Sequence, residues 1–119
     1  MKTRFLLFLT LMATSQFVGA QKADAKEMAD YQTETMITEL DLNEEQREKV
    51  SVINSKYSEK SADLMNAEGS MFGKIGDMKA INKAKNKELE KVLSEEQMEK
   101  YEDDVAPKMR KHMRKKMMG

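Results

Sequence analysis

The string Leu-x-Glu-Glu-Gln occurs twice, as Leu42-Asn43-Glu44-Glu45-Gln46 and as Leu93-Ser94-Glu95-Glu96-Gln97, and it constrains the fold more than any other feature of the chain. Asn43 and Ser94 can accept hydrogen bonds from the free backbone N–H groups of a following first turn, and Gln46 and Gln97 can reach back to the N–H of the capping residue itself. The paired glutamates then lie at the positive end of the helix dipole. Leu42 and Leu93, one residue outside, anchor each helix in an apolar layer. Both strings therefore open helices, at 43 and at 94.

The rest of the chain shows helical spacing and no strand-like alternation. Asp24 followed by Glu27 reads as a capping box ahead of Met28, Ala29, Met36, Ile37 and Leu40, which predicts a first helix over about 25 to 40. Val50, Ile53, Tyr57 and Leu64 keep one face in register and predict a second helix over about 44 to 67. Gly69, Gly73 and Gly76 predict the turn of an antiparallel hairpin, after which Asp77 caps a third helix carrying Met78, Ile81, Leu89 and Val92. The fourth helix, with Met98, Tyr101 and Val105, is expected to stop before Pro107. The fold class is all-α with four helices, the second and third forming a long hairpin.

Composition excludes most chemistry. The 119 residues contain no Cys, one His and one Pro, so there is no disulfide, no thiolate metal site and no Cys nucleophile, and little from which to build a nucleophile beside an imidazole base. Asp and Glu are abundant, but nothing marks a cleft that would raise a carboxyl pKa, so no enzyme and no cofactor are expected. Gly69 to Lys74 is one residue short of a phosphate loop and has Ile75 where Ser or Thr would hold magnesium.

Residues 1–20 read as an export signal. Lys2 and Arg4 precede an apolar run from Phe5 to Met12, and Val18-Gly19-Ala20 supplies small residues for cleavage after Ala20. The run is too short to span a bilayer. A helical domain is expected over 21–107, with 13 basic and 21 acidic residues, and a tail over 108–119 with six cations and no anion. Export argues against nucleic acid as a partner for that tail. Leu, Ile, Val and Phe number only 14 after residue 20, alongside ten Met, so a thin core whose apolar stripes are completed by a second copy or by a client is expected, and with it a homodimer.

The two helix-opening strings, in a small exported helical chain rich in Met and charge, resemble the Leu-Thr-x-x-Gln motifs of the Spy/CpxP family of periplasmic proteins. The resemblance runs over about residues 36 to 105, with Leu40-Asp41-Leu42 and Val92-Leu93 ahead of the two motifs. Asn43 and Ser94 replace the usual Thr, and the 51-residue offset is short. The resemblance implies a hairpin that dimerises into a thin curved cradle, and ATP-independent chaperone activity towards unfolded or stress-damaged envelope proteins in the periplasm. A metal-responsive protein binding copper or zinc is the alternative, as in some relatives.

Val50, Ile53, Tyr57, Leu64, Met65, Met78 and Ile81 are the candidate client-binding residues, since Met-rich apolar surfaces can re-pack around varied partners. The same residues could equally be hairpin core or dimer seam. In the tail, Met109, Met113 and Met117 share a helix face with His112 nearby, a thioether and imidazole set suited to Cu(I). The competing reading is an amphipathic helix that docks on the acidic body, on a client or on an anionic membrane surface, and whose removal leaves the fold intact.

Overall fold

A computed structural model describes the backbone of residues 16–118 and the side chains of 24–116. Residues 1–15 of the expected leader lie outside the described residues. Four helices follow one another: α1 (Gln16–Leu40), α2 (Glu44–Asn66), α3 (Met71–Glu90) and α4, which runs from Glu95–Lys100 through a π-helical turn at Tyr101–Val105 into Ala106–Met118. α1 packs along α2, α2 and α3 form the antiparallel hairpin, and the π-helical turn of α4 comes back against α1. Among the described residues there is no strand and no helix long and apolar enough to cross a membrane.

The two connections that define the closed end are both short and hydrogen-bonded. Leu40 ends α1, Asp41 adopts a left-handed backbone (φ 51°), and the Leu42 N–H donates to the Ile37 carbonyl at 3.3 Å. That six-to-one bond satisfies a carbonyl left over at the helix end, and Asp tolerates the left-handed region better than most residues. At the end of α3 the Leu93 N–H donates to the Leu89 carbonyl at 2.8 Å. Both turns deliver a buried leucine, Leu42 or Leu93, to the same layer. That layer, with Met36, Leu40, Val50, Leu89, Met98, Tyr101, Val105 and Met109, is the core.

Three expected boundaries are corrected. α1 already runs from Gln16, so Asp24 is inside the helix and does not cap it; Gly19 alone, without a proline or a capping break, does not end a helix. α3 starts at Met71, not after Asp77. Ser70 caps it, its Oγ accepting the Gly73 N–H at 3.2 Å, and Gly73 and Gly76 lie within the helix. Of the three glycines, only Gly69 needs its freedom, with φ +140° in the turn.

The third correction is at Pro107, which α4 passes without stopping. Proline lacks an N–H and its ring crowds the carbonyl four residues back. The π-helical turn widens the helix immediately before it, with the Ala106 N–H donating to the Tyr101 carbonyl five residues earlier. Ala106 stays helical (φ −62°, ψ −44°) despite the proline after it. Burial on both sides holds it there, since Val105 and Met109 are 1% and 4% exposed. Residues 108–118 therefore continue α4 and are not a tail separate from a domain ending at 107. Met109 belongs to the core, and removing that segment would uncover α1.

A Cβ at position 76 would meet nothing within 4 Å. Gly76→Ala is accordingly expected to raise unfolding stability by about 0.5 to 1 kcal/mol, read as a higher urea midpoint. The native chain thus carries a loosely built first turn and a half of α3 for which packing gives no reason.

Candidate functional site

The two capping strings, 51 residues apart, meet at the closed end of the bundle. Asn43 Oδ1 accepts the Gln46 N–H at 2.8 Å while Gln46 Oε1 accepts the Asn43 N–H at 3.1 Å. Ser94 and Gln97 repeat the arrangement at 3.1 and 2.9 Å. Each glutamine then reaches across. Gln46 Nε2 donates to Gln97 Oε1 (2.7 Å) and to the Val92 carbonyl (3.1 Å), and Gln97 Nε2 donates to Gln46 Oε1 (3.2 Å) and to the Leu40 carbonyl (3.1 Å). The two amides form a reciprocal clasp that joins α2 to α4 and satisfies a carbonyl in each adjoining turn. Both glutamines are fully used by the fold, so the motif is an architectural device at the closed end of the hairpin.

The open end has the opposite character. Met71, Phe72 and Ile75, in the glycine-containing start of α3, are 65%, 88% and 49% exposed, and Met65 near the end of α2 is 42% exposed. Leu64 and Met78 beside them are half-buried. Glu68 and Asp77 are exposed around this patch, and the Lys74 ammonium donates to the Met65 carbonyl at 3.3 Å. Exposed apolar residues scattered singly are ordinary on a protein surface, whereas these are gathered at one tip.

The structure divides the candidate client-binding residues. Val50, Ile53 and Tyr57 are 0%, 7% and 7% exposed and belong to the core, so they cannot present a free surface. Ile81 packs against that core, half-buried. Leu64, Met65 and Met78 are at the open end. Met71, Phe72 and Ile75 were missed because the glycines among them read as a turn; their signal was three large apolar residues in a segment otherwise fit for solvent.

Polar groups occupy the middle of the bundle. Asn54, fully buried, donates through Nδ2 to Thr33 Oγ1 at 3.0 Å, while among the described residues its own Oδ1 finds no partner, nor does the buried Ser58 hydroxyl. Lys85, 6% exposed, donates to Gln32 Oε1 at 3.1 Å and, among the described residues, faces no carboxylate within ion-pair distance. Burial lowers its pKa from the usual 10.5 to about 8. Tyr101, 4% exposed, is pushed the other way for a phenol, up to about 12, by the same cause.

The family described as a domain of unknown function, DUF4890, matches residues 14–101. The chain belongs to the DUF4890 family. The matched span takes in α1, both capping strings and the open end of the hairpin. No curated protein and no solved structure gives a significant match. The clasp, the exposed tip and Lys85 all lie within the DUF4890 span, whereas the basic segment lies beyond it.

That basic segment lies along α1. Lys108 pairs with Glu39 at 2.6 Å and Lys116 with Glu27 at 2.5 Å. The Lys108 ammonium holds the Glu39 carboxyl below its ordinary range, and Glu39 in turn holds Lys108 up. His112 stacks on Tyr31, ring centroids 4.1 Å apart, and Gln32 Nε2 approaches Met113 Sδ at 3.9 Å. Asp24, Glu27, Met28, Tyr31, His112, Met113 and Lys116 line a groove of about 380 Å³ between the two helices. Met109 is not in this groove. It is buried in the core, so the expected set of Met109, His112 and Met113 does not converge, and the Met117 side chain lies outside the described residues.

Proposed function

We propose that this DUF4890 chain is an exported, ATP-independent chaperone-like protein of the Spy/CpxP kind, released into the periplasm by cleavage after Ala20. It binds unfolded or damaged envelope proteins through the open end of its α2–α3 hairpin, and two copies together form the cradle. The observation that carries this reading is the exposed cluster of Met65, Met71, Phe72 and Ile75. Thioether, aromatic and branched aliphatic groups at one tip offer an unfolded chain apolar contact without a fixed shape to match. The glycines at 73 and 76 keep that tip easily deformed, which suits many partners. The clasp supports the reading from the other side: a stiff closed end lets the open end loosen without unfolding the bundle.

Light scattering of a chemically denatured client, diluted into buffer with a near-stoichiometric amount of the protein and no nucleotide, tests this. Aggregation is expected to be suppressed, and Phe72→Ser combined with Ile75→Ser to abolish most of the suppression while helical circular dichroism is unchanged. Failure to suppress, or suppression indifferent to both substitutions, would contradict it.

A metal-responsive role has one observation in its favour, the convergence of Met28, His112 and Met113 on a single groove. Thioether and imidazole would suit Cu(I) there. Among the described residues no three His, Asp or Glu side chains are placed together to hold a metal ion. Added copper in the scattering assay separates the readings, since the chaperone reading expects activity without it.

A further inference from the structure

The outward face of α3 changes character along its length. At about 100° per residue, Phe72, Ile75, Lys79, Lys83 and Lys87 fall on one side of the helix, and all five are exposed. The lysines recur every four residues. None of them forms an ion pair among the described residues, although Lys26, Lys49, Lys56, Lys108 and Lys116 all do. Lys79, Lys83 and Lys87, with Asn82, Asn86, Glu90 and Glu102, line a shallow groove between α3 and α4. A smaller hollow shares Asn82, Asn86 and Glu102 with it and adds Arg110. The row of lysines is thus extended by a cation from the next helix, and the two glutamates neutralise only part of it.

We infer that this face seats the protein on an anionic lipid bilayer, with the lysines and Arg110 over the headgroup phosphates and Phe72 and Ile75 entering the headgroup boundary. Charge complementarity identifies an anionic partner. The apolar residues decide which one: a soluble polyanion has nothing for a phenyl ring 88% exposed to enter, whereas a bilayer accepts both ends of the face. The basic segment of α4 contributes differently from what its sequence implied, since Lys108 and Lys116 are occupied by α1. This inference goes beyond the chaperone reading: it shares Phe72 and Ile75 with it, and rests besides on lysines that play no part in it.

The test is co-sedimentation of the full chain with vesicles of phosphatidylcholine alone and of phosphatidylcholine with 30% phosphatidylglycerol, at low and high salt, with heparin as a soluble polyanion. Binding is expected on the anionic vesicles only, falling steeply with salt. A triple variant, Lys79→Gln, Lys83→Gln and Lys87→Gln, is expected to bind on the order of 100-fold more weakly, and Phe72→Ser several-fold more weakly. The triple variant should still suppress client aggregation, so loss of vesicle binding and loss of chaperoning are told apart. No binding to anionic vesicles, binding untouched by the triple substitution, or heparin binding without vesicle binding would each overturn the inference. So would lysine-dependent self-association in place of vesicle binding, which would assign the face to a second copy.

Discussion

Replacing Gln46 by Ala is expected to destabilise the protein by about 2 kcal/mol, Gln97 by Ala the same, and both together by about 3, not 4. Each single change removes a capping contact and also strands the other glutamine, whose amide then faces an empty space, and a turn carbonyl that loses its donor. The double variant removes both amides, so no stranded glutamine is left and only the two turn carbonyls lack a donor, and the shortfall from additivity measures the clasp itself. Urea titrations of the four proteins in the cycle check this. Strict additivity would mean that each glutamine serves only its own helix, as Asn43 and Ser94 do for theirs.

Lys85→Met is expected to stabilise the protein by up to about 3 kcal/mol at neutral pH, the equivalent of the distance between 10.5 and about 8. The buried ammonium is opposed by desolvation and compensated by one amide oxygen, and Met keeps most of its length without the charge. The pH dependence has a definite sign. Because folding lowers this pKa, the unfolded chain holds the proton more tightly between about 8 and 10.5, so the native protein loses a penalty and gains stability as pH rises through that window. Tyr101 acts in the opposite sense above about 10, where its raised pKa costs stability. Urea midpoints between pH 7.5 and 9.5 should therefore rise for the native chain and stay nearly level for Lys85→Met. A native profile as flat as the variant's would show that Lys85 is hydrated.

The two glutamines and Lys85 also show where the sequence stopped being legible. The capping strings announced two helix starts because Asn or Ser with Gln three residues later is a local arrangement, complete within one turn. That the two strings bind each other is a tertiary fact, and only the equality of their patterns hinted at it. Lys85 gave no signal at all: a lysine among Lys83 and Lys87 reads as solvent-facing, and only the tertiary packing that brings it to Gln32 of α1 buries it. Pro107 misled for a related reason. Its local preference to end a helix was outweighed by burial of Val105 and Met109 on either side, at the expense of one widened turn. At the open end the glycines announced a turn, and the capping side chain of Ser70 carried the helix through two of them. The all-helical class and the hairpin survived these errors because they rest on periodicity over many residues, which no single cap or proline controls.

The claim on which the functional reading depends is that unfolded chains contact the open end of the hairpin. A photo-crosslinking amino acid at position 72, compared with the same group at the exposed position 96 beside the clasp, measures it directly. Irradiation in the presence of a denatured client should yield crosslinked client from position 72 and almost none from position 96, with the native client giving little from either. Equal yields from the two positions, or client captured from position 96 alone, would contradict the account.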